Sequence, residues 1–148
     1  EIKNQINLTL VGYGTNYNKI KNFLSKNKIK AKIVLNEKKL NKFYRKADLY
    51  VCSSLYEGLP TTVIEAASNS LPIICSDFKS GSKEILKNGK AGYLFSVGNF
   101  KLLSKLLSKF YYNPKPFYKK EIKCRKNLNR FHVKRNINLF KSLIKELF

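Results

Sequence analysis

The sequence predicts an α/β fold with a doubly wound parallel sheet and additional C-terminal helices. Between residues 6 and 112, short apolar runs alternate with amphipathic stretches, which indicates the order strand, helix, strand. Such an order requires parallel pairing through right-handed crossovers. The runs are uniformly apolar, which indicates that helices cover both sides of the sheet. A Rossmann-like sheet of this kind binds its ligands at the carboxyl ends of the strands.

The predicted elements follow one another without long interruptions. The predicted strands are 6–11, 31–35, 48–52, 72–76 and 92–95. The helices indicated by apolar residues at helical spacing are 15–27, 37–47, 60–69, 82–88 and 99–112. An Asn-Pro-Lys-Pro segment at 113–116 ends the pattern, and two basic helical stretches follow at about 117–129 and 132–147. We therefore predict a partial sheet domain over 1–112 and a helical extension over 113–148.

The chain is strongly basic, with a formal charge of +21 from 30 Lys and Arg residues against 9 Asp and Glu residues. One interpretation is a non-catalytic basic module that binds nucleic acid or an anionic membrane. The other is a coding bias toward Lys, Asn and Ile, because lysines occur in nearly every segment. No nucleic-acid-binding motif is found, so no nucleic-acid partner is expected. A basic surface would still attract nucleotide phosphates and anionic lipid head groups, and peripheral membrane attachment is an accessory prediction.

The cysteines Cys52, Cys75 and Cys124 lack the CxxC spacing of a metal or redox site. The first two lie in predicted buried strands, so we expect small apolar core residues in a reducing cytoplasm. No apolar run approaches the roughly 18 residues of a membrane span.

The stretch SSLYEGLPTTVIEAASNSLP at 53–72 contains the candidate site. Pro60 suits the first helical position, where its missing N–H has no cost. Gly58 lets the backbone turn sharply and admits a ligand closely. The amides and hydroxyls of Thr61 and Thr62 then face the mouth of the helix. This arrangement predicts an anion site formed by backbone geometry and the helix dipole.

Two glutamates flank this helix start in a chain with only 9 acidic residues. Glu57 precedes the helix, and Glu65 lies about one turn inside it. A bound diphosphate would repel both carboxylates, so they are better suited to accept hydrogen bonds from hydroxyl groups on either side of it. Their order fits an elongated ligand of sugar, diphosphate and ribose. Ordinary electrostatics at a helix start is the alternative.

The VGYG segment at 11–14 follows the first predicted strand but does not complete a dinucleotide-binding fingerprint. Tyr17 stands where the third glycine is needed. Gly12 and Gly14 serve either a tight turn or the close approach of a ligand, and both interpretations stay open.

The segment YRKADLYVCSSLYEGLPTTVIEAASNSLPIICSD, followed by SGSKEILKNGKAGYLF, resembles the donor-binding half of retaining GT-B glycosyltransferases of family four, the glycosyl transferases group 1. The resemblance runs from about residue 6 to 112. Besides the EGLP turn, its motifs rest on Glu57, Glu65, Asp77, Gly81 and Glu84. Each motif is weak alone, and together in this order they are specific. Ser70 departs from the family, which usually has glycine before the proline of the fourth strand.

The resemblance implies a nucleotide-sugar donor bound in a cleft between two Rossmann-like domains. Glu57 would contact hydroxyls of the transferred sugar, and Glu65 would bind the ribose hydroxyls. The residues lining the sugar and diphosphate would be Gly58, Leu59, Pro60, Thr61 and Thr62. The strand end at Asn36 would lie near the base, and Gly14 would border the same cleft.

The implied reaction transfers a hexose or N-acetylhexosamine, with retention, to a glycan or lipid-linked acceptor. Same-face attack by the acceptor needs no covalent intermediate, so Glu57, the candidate catalytic residue, would position the sugar. The helix start would stabilise the charge that gathers on the departing nucleoside diphosphate. No metal or other cofactor is expected, because the sequence has no Asp-x-Asp motif and no His/Cys cluster. His132 is predicted to be a surface residue.

The family's donor domain begins with a further strand, and an acceptor-binding N-terminal domain precedes it. Neither is recognised here, so we expect the 148-residue chain to be inactive alone, with that N-terminal domain as its missing partner. The family association suggests polysaccharide or lipopolysaccharide assembly in the cytoplasm, at the inner face of a membrane.

Overall fold

The computed structural model describes residues 2–147, which divide into two compact units between Lys42 and Phe43. Within these residues, all five predicted strands and all seven predicted α-helices are present. The α/β prediction is therefore confirmed, although the strands form two sheets rather than one.

The N-terminal unit contains a two-stranded parallel sheet and one long helix. Its elements are a 3-10 helix at Ile2–Gln5, β1 at Leu8–Val11, α1 at Tyr17–Lys26 and β2 at Ala31–Val34. The strands pair in register, so that the first residue of β1 lies opposite the first residue of β2. This is the strand–helix–strand crossover that the alternating pattern predicts.

The prediction of buried strands is wrong for this unit. Leu8 is 38% and Val11 is 37% exposed, and no described residue of the unit is buried. Helix α1 likewise buries none of its residues, and its apolar Ile20 is 41% exposed. Two strands and one helix form too few layers to cover both faces of a sheet.

The helix predicted over 37–47 is shorter in the structure, where α2 spans Asn41–Tyr44. The side chain of Glu37 accepts a hydrogen bond of 2.8 Å from the backbone N–H of Lys39. This local turn uses an amide near the predicted helix start, so the helix begins later.

The C-terminal unit has a three-stranded parallel sheet in the order β3-β4-β5. The strands are β3 at Tyr50–Cys52, β4 at Ile73–Ser76 and β5 at Tyr93–Phe95. The helices are α3 at Thr61–Ser68, α4 at Ser82–Ile85, α5 at Phe100–Tyr112, α6 at Lys115–Asn127 and α7 at Val133–Leu147, with a 3-10 helix at Leu128–Phe131 between the last two.

The central strand β4 is buried along its whole length and separates two apolar clusters. On one face, the cluster includes Val63, Ile73, Cys75, Ile85 and Cys124. On the other face, the cluster is formed by Ile74, Phe95, Leu106 and Phe117. Helices therefore cover both faces of this sheet, which confirms the doubly wound prediction. The three cysteines are free and buried, as predicted.

Helix α6 packs on this sheet although it lies beyond the predicted division at residue 112. Its Phe117 is 1% exposed and its Cys124 is fully buried. The assignment of 113–148 to a separate extension remains a prediction.

Helix α7 keeps its apolar stripe exposed. This stripe contains apolar residues at helical spacing, which are between 41% and 68% exposed: Val133, Ile137, Phe140 and Ile144. His132, just before the helix, is exposed as predicted. Within residues 2–147, no helix is long and apolar enough to span a bilayer.

Candidate functional site

The loop after β3 leads directly into the N-terminus of α3. Pro60 occupies the N-cap position rather than the predicted first helical position, and its carbonyl accepts a 3.0 Å hydrogen bond from the amide of Val63. A proline side chain cannot cap a helix. Among the described residues of this unit, no acceptor is found for the amides of Thr61 and Thr62. These amides, together with the helix dipole, are available to an anion.

A second loop, after β4, holds this turn in shape. The Ser80 hydroxyl lies 2.7 Å from the carbonyl oxygen of Glu57 and 3.0 Å from that of Gly58, and donates to them. Gly81 has φ +84°, and a Cβ built there would lie 2.6 Å from Pro60 Cδ and 3.0 Å from the Gly58 oxygen. The second loop therefore touches the turn so closely that only glycine fits at position 81.

Glu57 is half-buried beside the turn. Its Oε1 accepts a 2.8 Å hydrogen bond from the hydroxyl of Ser54. The carbonyl of Ser54 in turn accepts a 2.6 Å hydrogen bond from the hydroxyl of Ser76, which is buried at the end of β4. Two adjacent parallel strands thus fix the position of the Glu57 carboxylate.

Glu65 projects from the second turn of α3. Its Oε2 accepts a 3.1 Å hydrogen bond from the hydroxyl of Tyr44. Burial, reinforced by the Glu65 charge, raises the pKa of Tyr44 above its usual value, so the phenol is a neutral donor at physiological pH. Burial also raises the pKa of Tyr50 to about 12, against a smaller lowering by a hydrogen bond to Thr62.

Both glutamates are held by hydroxyls rather than by cations. No ion pair of Glu57 or Glu65 is found among the described residues of the C-terminal unit, although the chain carries 30 Lys and Arg residues. In the same unit Asp77, Glu84 and Glu121 each pair with a Lys or Arg. A carboxylate held by one neutral donor keeps its charge and its second oxygen, and can accept further hydrogen bonds from a ligand's hydroxyl groups.

The two remaining motif residues have structural partners. Asp77 forms an ion pair of 3.1 Å with Lys83 in α4. Glu84 forms an ion pair of 2.7 Å with Arg130 in the 3-10 helix. These contacts tie the second loop and α4 to the surrounding helices.

The predicted residues of the N-terminal unit lie at the carboxyl ends of its strands. Gly14 follows β1 with φ +150°, and its carbonyl accepts a 3.3 Å hydrogen bond from the amide of Tyr17 at the start of α1. Asn36 follows β2 with φ +52° and is exposed. The other predicted residues, Glu57, Gly58, Leu59, Pro60, Thr61, Thr62 and Glu65, all lie together around the N-terminus of α3 in the C-terminal unit.

Sequence reasoning missed the hydroxyl donors around the site. Ser54, Ser76 and Ser80 follow or end strands at the predicted ligand edge, so the rule for parallel sheets could have found them. Tyr44 carries no such signal, because it lies in a helix before β3. In the part of the chain that the structure describes, no group of three or more His, Cys, Asp or Glu side chains could hold a metal ion.

Comparisons with known proteins agree on one family. Residues 1–131 match the glycosyl transferases group 1. An uncharacterised glycosyltransferase of Methanocaldococcus jannaschii is 41% identical over 81 residues, which cover 53% of this chain and 20% of that protein. The N-acetylgalactosamine-N,N'-diacetylbacillosaminyl-diphospho-undecaprenol 4-alpha-N-acetylgalactosaminyltransferase of Campylobacter jejuni is 25% identical over 100 residues, which cover 66% of this chain and 27% of that enzyme.

The same fold is found in solved structures. The crystal structure of Anabaena HepE in complex with UDP-glucose superposes with a TM-score of 0.84 at 16% identity, covering 95% of this chain and 41% of HepE. The chain thus spans less than half the length of each of these three proteins. With its parallel α/β architecture and a family match over most of its length, the chain belongs to the glycosyl transferases group 1, as part of a C-terminal-type Rossmann-like domain of the GT-B fold.

Proposed function

We propose that the chain binds a nucleotide-diphosphate sugar and forms part of the donor-binding domain of a retaining glycosyltransferase. The observation that carries this proposal is the pair of glutamates beside the α3 N-terminus. Each is held by a neutral hydroxyl, Ser54 for Glu57 and Tyr44 for Glu65. The arrangement suits a ligand whose anionic centre lies between two groups of hydroxyls.

Each part of the donor has a proposed place at this helix. The diphosphate binds the turn and the first amides of α3, at Gly58, Leu59, Pro60, Thr61 and Thr62. Glu57 accepts hydrogen bonds from hydroxyls of the transferred sugar, and Glu65 from those of the ribose. The roles of Gly14 and Asn36 near the base stay predictions from the family resemblance.

The helix start would lower the barrier to sugar transfer by stabilising the leaving group. The bond between the anomeric carbon and the diphosphate oxygen breaks, and negative charge gathers on the departing nucleoside diphosphate. Unpaired amides and the positive end of the helix dipole favour that charge without reorganising. The acceptor hydroxyl forms the new bond to the anomeric carbon on the same face of the sugar and passes its proton to the departing diphosphate oxygen, and Glu57 positions the sugar without bonding to it.

For the whole protein we propose transfer of a hexose or N-acetylhexosamine to a glycan or lipid-linked acceptor. Support comes from the UDP-glucose in the HepE structure and from the diphospho-undecaprenol named for the Campylobacter relative. The proposed setting is polysaccharide or lipopolysaccharide assembly on the cytoplasmic side of a membrane, and the acceptor would bind a separate N-terminal domain. No metal or other cofactor is assigned to this reaction.

The proposal is tested by titrating UDP, GDP and their sugar conjugates into the chain at two salt concentrations. The variant is Glu65→Gln, and the matched control is Glu146→Gln, which removes an equal charge from the exposed face of α7. We expect selective binding of one nucleotide, weakened about tenfold or more in Glu65→Gln and unchanged in the control, because a charged hydrogen-bond acceptor is lost. If all three proteins bound every anion with equal affinity, and if salt weakened that binding, charge alone would explain it. The proposed donor site would then be wrong.

A further inference from the structure

Tyr44 is held rigidly at the side of α3. The residue is 7% exposed, and its ring meets the ring of Tyr50 edge to face, with centroids 5.9 Å apart at 71°. Its hydroxyl is 3.1 Å from Glu65 Oε2. Because the ring is already fixed by packing, its hydrogen bond holds the carboxylate with little further loss of side-chain entropy.

The type of group that donates this hydrogen bond determines which ligands Glu65 can still bind. A lysine or arginine here would neutralise the carboxylate and compete with ligand hydroxyls. A buried phenol donates one hydrogen bond and leaves both the negative charge and Oε1 for a ligand. No partner for Oε1 is found among the described residues of the C-terminal unit.

We propose that Tyr44 is a positioning residue that fixes the Glu65 carboxylate so that its second oxygen is presented to the ribose hydroxyls of the donor. This inference rests on the proposed function, because it assumes that Glu65 meets the ribose. Tyr44 itself touches no substrate. It acts on nucleoside recognition through Glu65 and leaves the diphosphate contacts at Thr61 and Thr62 unchanged.

Because Tyr44 acts on the ribose contact and not on the diphosphate contacts, the affinity lost when its hydroxyl is removed should depend on the ligand. Removing the Tyr44 hydroxyl weakens ligands that carry ribose hydroxyls and spares those that carry only phosphate. A purely structural role would weaken both kinds of ligand alike, because the whole α3 N-terminus would shift.

The experiment measures dissociation constants of UDP, 2′-deoxy-UDP and inorganic pyrophosphate for the wild-type chain, Tyr44→Phe and Glu65→Gln. The matched control is Tyr118→Phe, which removes a hydroxyl from an exposed position on α6. For Tyr44→Phe we expect UDP binding to weaken about five- to tenfold, from the lost hydrogen bond to a charged group, with pyrophosphate binding unchanged. The loss for 2′-deoxy-UDP should be smaller, and adding Tyr44→Phe to Glu65→Gln should cost less than it does in the wild-type chain, because the amide is a weaker partner for both the phenol and the ribose.

Phenylalanine keeps the ring that packs on Tyr50, and thermal unfolding checks that the variant folds. Should it not fold in buffer alone, all the proteins are titrated in sucrose, which favours the folded state. Tyr44→Phe should then show the same ligand-selective loss. Unchanged UDP affinity in the folded variant, or equal losses for UDP and pyrophosphate, would overturn the positioning role. A wild-type chain that does not prefer UDP to pyrophosphate would instead overturn the proposed function and this inference with it.

Discussion

Replacing Gly81 with alanine should open the turn that forms the candidate site. The new methyl group would lie 2.6 Å from Pro60 Cδ and 3.0 Å from the Gly58 oxygen, one a ring atom and the other backbone. Neither atom can rotate away, so the two loops must move apart until the shorter distance approaches the 3.4 Å at which ordinary van der Waals contact begins. The φ of +84° adds a strain of about 1–2 kcal/mol for any residue with a Cβ.

We expect Gly81→Ala to lower the free energy of unfolding by about 2–5 kcal/mol, the sum of backbone strain and overpacking. UDP affinity should fall by about tenfold, because the shift displaces the first amides of α3. The measurements are urea unfolding, followed by nucleotide titration under conditions in which the variant is folded.

Gly98→Ala is the matched control for this substitution. Gly98 also has a positive φ, of +77°, but no atom lies within 4 Å of a Cβ built there. It should lose only the strain of about 1–2 kcal/mol and keep full UDP affinity. If Gly81→Ala were no less stable than Gly98→Ala and bound UDP normally, the close contact between the two loops would have no functional meaning.

Four further predictions concern other parts of the chain. Ser54→Ala should weaken UDP-glucose binding about three- to tenfold and leave UDP binding unchanged, because it releases only the glutamate proposed to hold the sugar. Phe117→Ala should cost about 3–5 kcal/mol in urea unfolding, whereas Phe100→Ala, at an exposed site, should cost little. Ser70→Gly should stabilise the chain by about 0.5–1 kcal/mol, because Ser70 has φ +60°. Burial raises the pKa of Cys124 to about 11, so between about pH 9 and that value only the unfolded state loses this proton, and wild-type stability should fall with rising pH relative to Cys124→Ala.

Each of these has a clear contrary result. A Ser54→Ala variant that loses UDP and UDP-glucose equally would have a general defect rather than a sugar-specific one. Equal free energies of unfolding for Phe117→Ala and Phe100→Ala would show that α6 does not contribute to the core. A destabilised Ser70→Gly variant would mean that the serine side chain, not the backbone strain, matters there. Parallel stability curves for wild type and Cys124→Ala would show that the buried thiol does not ionise differently on unfolding.

The order of elements was predictable because it depends on local patterns. The run PIICS could be assigned to a buried strand from its composition alone, and β4 is the most buried strand of the sheet. The EGLP turn followed by two threonines predicted a helix start, and α3 begins at Thr61. Apolar periodicity and turn chemistry act within a few residues, so they are visible in the sequence.

Burial in the N-terminal unit and on α7 was less predictable. The run at 6–11 has the composition of a buried strand, yet β1 is largely exposed. Helix α7 has a clear apolar stripe, yet buries none of its residues. An apolar pattern predicts which face of a strand or helix can be buried. Whether a second layer covers that face depends on elements elsewhere in the chain.

The helix start, the two glutamates beside it and the family to which they point can all be identified from the order of the amino acids. The contacts that hold the two glutamates depend on the three-dimensional packing. Tyr44 reaches Glu65 across 21 positions of the chain, and Ser80 reaches the carbonyl of Glu57 across 23. Such contacts depend on how strands and helices pack against one another. The spacing of side chains along the chain therefore does not predict them. Tertiary packing therefore determines the shape of the site, whereas the residue types that give the site its chemistry lie in one short segment of the sequence.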